Sequence, residues 1–180
     1  GYDGQIEPRL AASWEEVSDT SILFNLRSDV TFSNGDAVAS DDVVASLCGS
    51  LQPTSPYNWA LAMINHERDA SGKVACSGLD AVDARRLTIT VSSPGALQHL
   101  MEALASPPAW IAPMDVETGE YGVVPGLGPF RISEVSPDHE VILEPRAGGV
   151  VEAPQSPLVF RYMPDNAVAS TAFKTGALDF

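Results

Sequence analysis

The sequence has little positive charge: ten Lys and Arg stand against twenty-four Asp and Glu in 180 residues, a formal charge of −14. Neutralising a phosphate backbone requires clustered cations, so nucleic acid is not expected as a partner. Long apolar runs are also missing. No stretch reaches the roughly eighteen consecutive apolar residues of a spanning helix, and no charged leader with an apolar segment opens the chain. Gly1 is not a natural start, so the chain reads as a processed or trimmed product, with any export signal or lipid-anchoring cysteine expected upstream. Cysteine is scarce. Cys48 and Cys76 either form one disulfide, worth on the order of 3 kcal/mol for such a loop, or Cys48 is a buried thiol on a helix stripe. Two cysteines do not decide the compartment.

Catalytic patterns are absent as well. There is no G-x-S-x-G, no H-E-x-x-H and no Cys beside a predictable base, so an enzyme is not expected. His66 adjoins Glu67 but lacks a second nitrogen or sulfur ligand at useful spacing, and His99 and His139 are equally isolated. No metal site and no cofactor are expected.

What is present begins with Ser21–Leu51. Ile22, Phe24 and Leu26 alternate with polar neighbours, the pattern of a half-buried strand. Val30-Thr31-Phe32 reads as a second extended piece, ended by an Asn34-Gly35 turn. A helix follows, with Ser40 expected as its cap, Asp41 and Asp42 in the first turn, and Val43, Val44, Leu47, Cys48 and Leu51 as its apolar stripe.

Before this block, a turn is expected at Tyr2-Asp3-Gly4 and a strand around Trp14, with Trp14 a core side chain closing a sheet edge. After it, Gln52 to Trp59 is a loop holding two prolines and two aromatics. Leu61, Met63 and Ile64 suggest a short helix or turn, and Asp69–Lys73 a surface loop. Leu79–Val82 and Arg86–Ser92 read as paired strands. Ser93 is expected to cap a helix with Pro94 at its first position, running to about Ala105. Ala109–Pro113 reads as a buried strand and Met114–Tyr121 as a loop. In Pro125–Phe130, Gly126 and Gly128 are expected to supply backbone angles closed to other residues, and the lack of a Lys-Ser/Thr pair and of a following helix excludes a phosphate-binding loop. Phe130–Val135 and Glu140–Glu144 form a hairpin, Leu158–Met163 is a strand, and Asp165 caps a helix closed by Gly176.

Four of these segments, in this order, resemble the family 5 solute-binding proteins of ABC transporters. Leu26-Arg27, Val30, Phe32, Gly35 and Asp42-Val43-Val44 look like its L-R-x-x-V-x-F-x-x-G … E-D-V-V run. Pro8 to Glu15 is similar to P-x-L-A-x-S-W-E, Gly126 to Phe130 to G-T-G-P-Y, and Val159 to Phe180 to I-x-F-R-x-I-P-D … G-E-V-D-I. Departures are Ala39 and Leu127, each where Thr is usual, and Pro145–Gly149 in place of N-P-x-Y-W. Pro53–Tyr57 resembles the P-x-T-x-S-P-Y segment of oligopeptide-binding members, where aromatics line the ligand cavity.

The resemblance implies a mixed α/β fold, periplasmic-binding-protein-like type II. Residues 1–180 would be most of lobe I as one partial unit, with the second lobe encoded beyond Phe180. A β-rich subdomain is expected at 30–122, and a hairpin, strand and helix returning to the lobe I sheet at 123–180. The implied function is that of an extracytoplasmic receptor, periplasmic or a cell-surface lipoprotein, that delivers a small peptide or similar solute to an ABC permease. Tyr57 and Trp59 are the expected ligand-binding residues, with inter-segment packing as their alternative role. The other readings are a nickel-chelate or sugar receptor, a non-transport binding or interaction module, and an enzyme built on the same scaffold. Half a cavity predicts weak solute binding or none.

Overall fold

β2, Ser21–Leu26, buries every second side chain, Ile22, Phe24 and Leu26, as its alternation predicts. The computed structural model describes residues 5–115 and 122–179. The expected turn at Tyr2-Asp3-Gly4 and residues 116–121 of the expected loop lie outside them. β2 is central in an antiparallel four-stranded sheet of order β1-β2-β6-β5, with β1 at Ala11–Ser18, β5 at Leu79–Asp83 and β6 at Arg86–Thr90. Trp14 on edge strand β1 packs against Phe24 at a ring-centroid distance of 6.4 Å. On the polar face the Ser21 and Thr90 hydroxyls are hydrogen-bonded across the β2–β6 pair at 2.7 Å.

α1, Ser40–Leu51, lays Val43, Leu47 and Leu51 into the same core. Its first residue corrects the expected cap. The helix is capped from Ala39, whose N–H donates to the Asp42 carboxylate at 2.8 Å, one half of a capping box. Ser40 is already helical and buried, and its hydroxyl donates to the Asp83 carbonyl on β5. An Ala at the cap position leaves no side-chain acceptor, so Asp42 alone supplies the carboxylate there.

The second expected cap is displaced too. α2, Ala96–Leu104, starts after Gly95, which takes φ +84°, and Ser93-Pro94 stay outside it. Leu97 and Leu100 are its buried face. Ala109–Pro113 is not a strand: a short 3-10 turn covers Pro107–Ala109 and the chain then runs extended without ladder partners. Its donors are used elsewhere: Ala109 and Trp110 N–H close the turn onto the Ser106 and Pro107 carbonyls, and Ala112 N–H donates to the Ser46 hydroxyl at 3.0 Å. Val30–Phe32 contributes only one bridge, Thr31 to Ala37.

Two more short strands, β3 at Glu67–Arg68 and β4 at Val74–Ala75, pair around the Asp69–Lys73 turn. Asp69 accepts from the Ser71 hydroxyl at 2.6 Å and from the backbone N–H of Ser71 and Lys73. Cys48 and Cys76 are disulfide-bonded, which settles the open alternative and ties α1 to the residue just past β4.

A separate three-stranded antiparallel sheet, β7-β8-β9, is made of Phe130–Ser136, Glu140–Pro145 and Leu158–Arg161. α3, Asn166–Lys174, follows. Asp165 caps it by accepting from Ala167 N–H at 2.7 Å, and Gly176 and Ala177 close it with the paired hydrogen bonds of a Schellman motif. Among the described residues none after Leu100 is buried.

The segments flanking the two main sheets meet at a small cluster of Val30, Phe32 and Val38, against which Leu127 and Val150 pack. Arginines staple this joint. Arg146, at the end of β8, donates to the carbonyls of Thr31, Phe32, Gly126 and Gly128 at 2.8 to 3.3 Å. Arg27 binds both oxygens of Asp29 at 2.7 and 2.9 Å and reaches the Val150 carbonyl at 3.3 Å. Arg85 bridges the Arg27 and Val38 carbonyls, both at 2.9 Å. The tight backbone lies at Gly148 and Gly149 rather than at Gly126 and Gly128, which take no positive φ. Gly148 has φ +79°, and a Cβ on Gly149 would stand 2.8 Å from the Gly128 carbonyl oxygen.

Candidate functional site

Beside the joint lies an apolar cleft of about 880 Å³, within the size range of ligand pockets. Phe24, Leu26, Leu87 and Ile89 of the sheet form its floor, α2 contributes Met101 and Leu104, and Trp14 stands at one side. Trp110, Ile111, Leu127 and Val150 form the rim. Trp110 is 73% exposed. The buried strand expected over Ala109–Pro113 is not formed, and Trp110 is displayed instead. The local signal is Pro107-Pro108, which open a 3-10 turn that ends at Trp110.

Tyr57 and Trp59 do not line this cleft. They sit on the loop after α1, 41% and 73% exposed, between buried Leu51 and buried Leu61. The loop is shaped by its own bonds: Ser55 N–H donates to the Gln52 carbonyl at 2.9 Å, and Ala60 N–H to the Tyr57 carbonyl at 3.0 Å. Tyr57 N–H donates to the Ser55 hydroxyl at 3.2 Å. The chain therefore offers two displayed aromatic groups on different segments. A large exposed aromatic brings contact area at little entropic cost when a partner covers it.

The resolved electrostatic shifts arise from hydrogen bonds and burial. Hydrogen bonding from the Arg27 guanidinium holds the Asp29 carboxyl below its ordinary value. Asp69 is lowered chiefly by the Ser71 hydroxyl, and Asp83 by the Arg85 backbone N–H and then the Arg86 side chain. Burial pushes Arg146 down. His66 Nδ1 is hydrogen-bonded to the Ile64 carbonyl at 2.8 Å. Among the described residues no three His, Cys, Asp or Glu side chains are grouped to hold a metal ion.

A mixed α/β body of two main sheets and the small β3–β4 pair, its second half uncovered, defines the class: one lobe of a type II periplasmic-binding-protein-like fold. Residues 5–180 match the family described as Bacterial extracellular solute-binding proteins, family 5 Middle. The chain belongs to that family. It is 28% identical over 185 residues to the nickel-binding periplasmic protein of Escherichia coli K12, covering 98% of this chain and 33% of that one. The periplasmic oligopeptide-binding protein OppA of the same organism is 31% identical over 99 residues, covering 51% of this chain and 18% of OppA. Among solved structures, MoaA of A. tumefaciens R10 in complex with mannopinic acid superposes with a TM-score of 0.76 at 27% identity, over 96% of this chain and 34% of MoaA. The chain thus spans about a third or less of the length of these relatives. The relatives are binding proteins by name rather than enzymes, and among the described residues no helix is long and apolar enough to cross a membrane.

Proposed function

We propose that this chain supplies lobe I of an extracytoplasmic receptor for an ABC importer, which closes over an organic solute and hands it to a membrane permease. The observation that carries the reading is the match to the family over residues 5–180. The uncovered second sheet supports it, because a lobe of a hinged protein needs a second body to complete it. In this reading residues 30–122 and 123–180 are the β-rich subdomain and the return to the lobe I sheet. The receptor works outside the cytoplasm, free or lipid-anchored.

Short peptides are the proposed solute class, with Tyr57 and Trp59 contributing aromatic faces from lobe I. A second reading is nickel carried within an organic chelate, favoured by the nickel-binding relative that aligns over almost the whole chain. With a single lobe, weak binding or none is expected. The test is an NMR titration of the 180-residue chain with tripeptides and, separately, with nickel–histidine. Fast-exchange amide shifts at Ser55–Ala60 with peptide support the first reading, and the same shifts with nickel–histidine alone move the solute to the second. Solute shifts centred away from Ser55–Ala60, or sub-micromolar affinity for the lone lobe, overturn the proposal.

A further inference from the structure

A displayed aromatic contributes most to binding when its loop is already in shape, because ordering a free loop on contact consumes part of the contact energy. The loop from Gln52 to Ala60 is held at its base by two independent devices. One is the Cys48–Cys76 disulfide, which joins the last turn of α1 to the segment returning past the loop, 28 residues later. The other is the Gln52 carboxamide. Its Nε2 donates to the Val74 carbonyl at 3.1 Å and to the Cys48 carbonyl at 3.3 Å, and its Oε1 accepts from Val74 N–H at 3.0 Å. Gln52 thereby gives Val74 the donor and acceptor of a neighbouring strand. Val74 is buried, so both of its backbone groups would otherwise lack partners away from water.

The placement of Gln52 matters. It is the first residue after α1 with extended backbone, φ −63° and ψ 147°, where the direction of the outgoing loop is set. The disulfide fixes a distance between two segments. The bidentate amide adds an orientation at the point of departure.

We propose that Gln52 is a positioning residue which, with the Cys48–Cys76 disulfide, latches the 52–60 loop so that Tyr57 and Trp59 are presented in a fixed geometry. The inference rests on the reading of these two aromatics as solute-facing. The latch itself is a property of the solute-free chain and is measured there.

The three tryptophans, Trp14, Trp59 and Trp110, allow the measurement on the full chain labelled with 5-fluorotryptophan. Their fluorine signals are assigned by single Trp→Phe substitutions. Gln52→Met keeps the length of the side chain and removes its hydrogen bonds; Gln52→Glu keeps the acceptor for Val74 N–H and loses the donor. The expected result is a shifted and narrowed Trp59 signal in Gln52→Met, an intermediate one in Gln52→Glu, and unmoved Trp14 and Trp110 signals in both. The Cys48→Ala/Cys76→Ala protein repeats the Trp59 change.

A Trp59 signal in Gln52→Met identical to the parent overturns the proposal. So do equal changes at all three tryptophans, which would mean general loosening. Peptide titration of Trp59→Phe separates the two claims. A Trp59 signal that responds to Gln52, together with peptide shifts unaffected by Trp59→Phe, keeps the latch and removes the aromatic from the solute reading.

Discussion

The two sheets carry equally clear strand patterns, yet only one has a core. In the first, alternation on β2 and β6 meets the stripes of α1 and α2, and fifteen buried residues close into one cluster. In the second, β7 to β9 are properly paired and α3 is capped at both ends, but Ile132, Val159, Phe160, Val168 and Phe173 remain exposed. Ladder formation and helix capping are local and need only the segment itself. Burial needs a second surface. The first sheet finds that surface within 100 residues, and the second does not find one within the described residues.

The sharpest way to break this comparison is a matched pair of truncations. Leu61→Ala, in the core, should cost about 2–5 kcal/mol in denaturant unfolding. Phe160→Ala, on β9, should cost within about 0.5 kcal/mol. Equal costs would mean that the second sheet has a core after all. Next in size is the Cys48→Ala/Cys76→Ala protein, expected to lose about 3 kcal/mol with the whole loss in the first unit. Hydrogen exchange should show β2 and β6 less protected and β7 to β9 unchanged.

Arg146→Ala addresses the joint. Removing charged donors from the Thr31, Phe32, Gly126 and Gly128 carbonyls should cost about 1.5–3 kcal/mol, read as faster exchange at Thr31 and Val150. Arg146→Lys should recover only part, since an ammonium cannot reproduce the planar fork. The smallest effect is the acid limb. Asp29, Asp69 and Asp83 have folded values below their unfolded ones. Their contribution is therefore complete above the unfolded value of about 3.9 and is lost as pH falls through the lower folded values. Melting temperature should decline over that acid window, and Asp83→Asn should lower the plateau near pH 7 and make the decline shallower, because the contribution of the ionised carboxylate is then absent at every pH.

Much of the first sheet was legible because its signals are short-range. Ile22, Phe24 and Leu26 announce β2, and Leu87 and Ile89 announce β6. Asp165 and Gly176 mark both ends of α3. The errors fall where a neighbour distant in sequence decides. Ser40 looks like a cap, but Asp83 claims its hydroxyl and Asp42 takes over the end of the helix. Ala109–Pro113 looks like a buried strand, whereas Ser46 on α1 takes both the N–H and the carbonyl of Ala112 and Trp110 is left exposed. Gly126 and Gly128 look like the tight turn, and the close approach occurs at Gly149 instead.

The order of residues alone determined the family, the alternation of the strands, the apolar stripes of α1 and α2, and the shortage of cations, because each depends on residue type and spacing within a few turns. Only the tertiary structure decided that Cys48 meets Cys76, that three of the few arginines are spent on carbonyls at the joint, and that Gln52 reaches Val74. Those pairings join residues from 18 to well over 100 positions apart. No local pattern encodes such a meeting; it exists only once the sheet and α1 have brought the segments together.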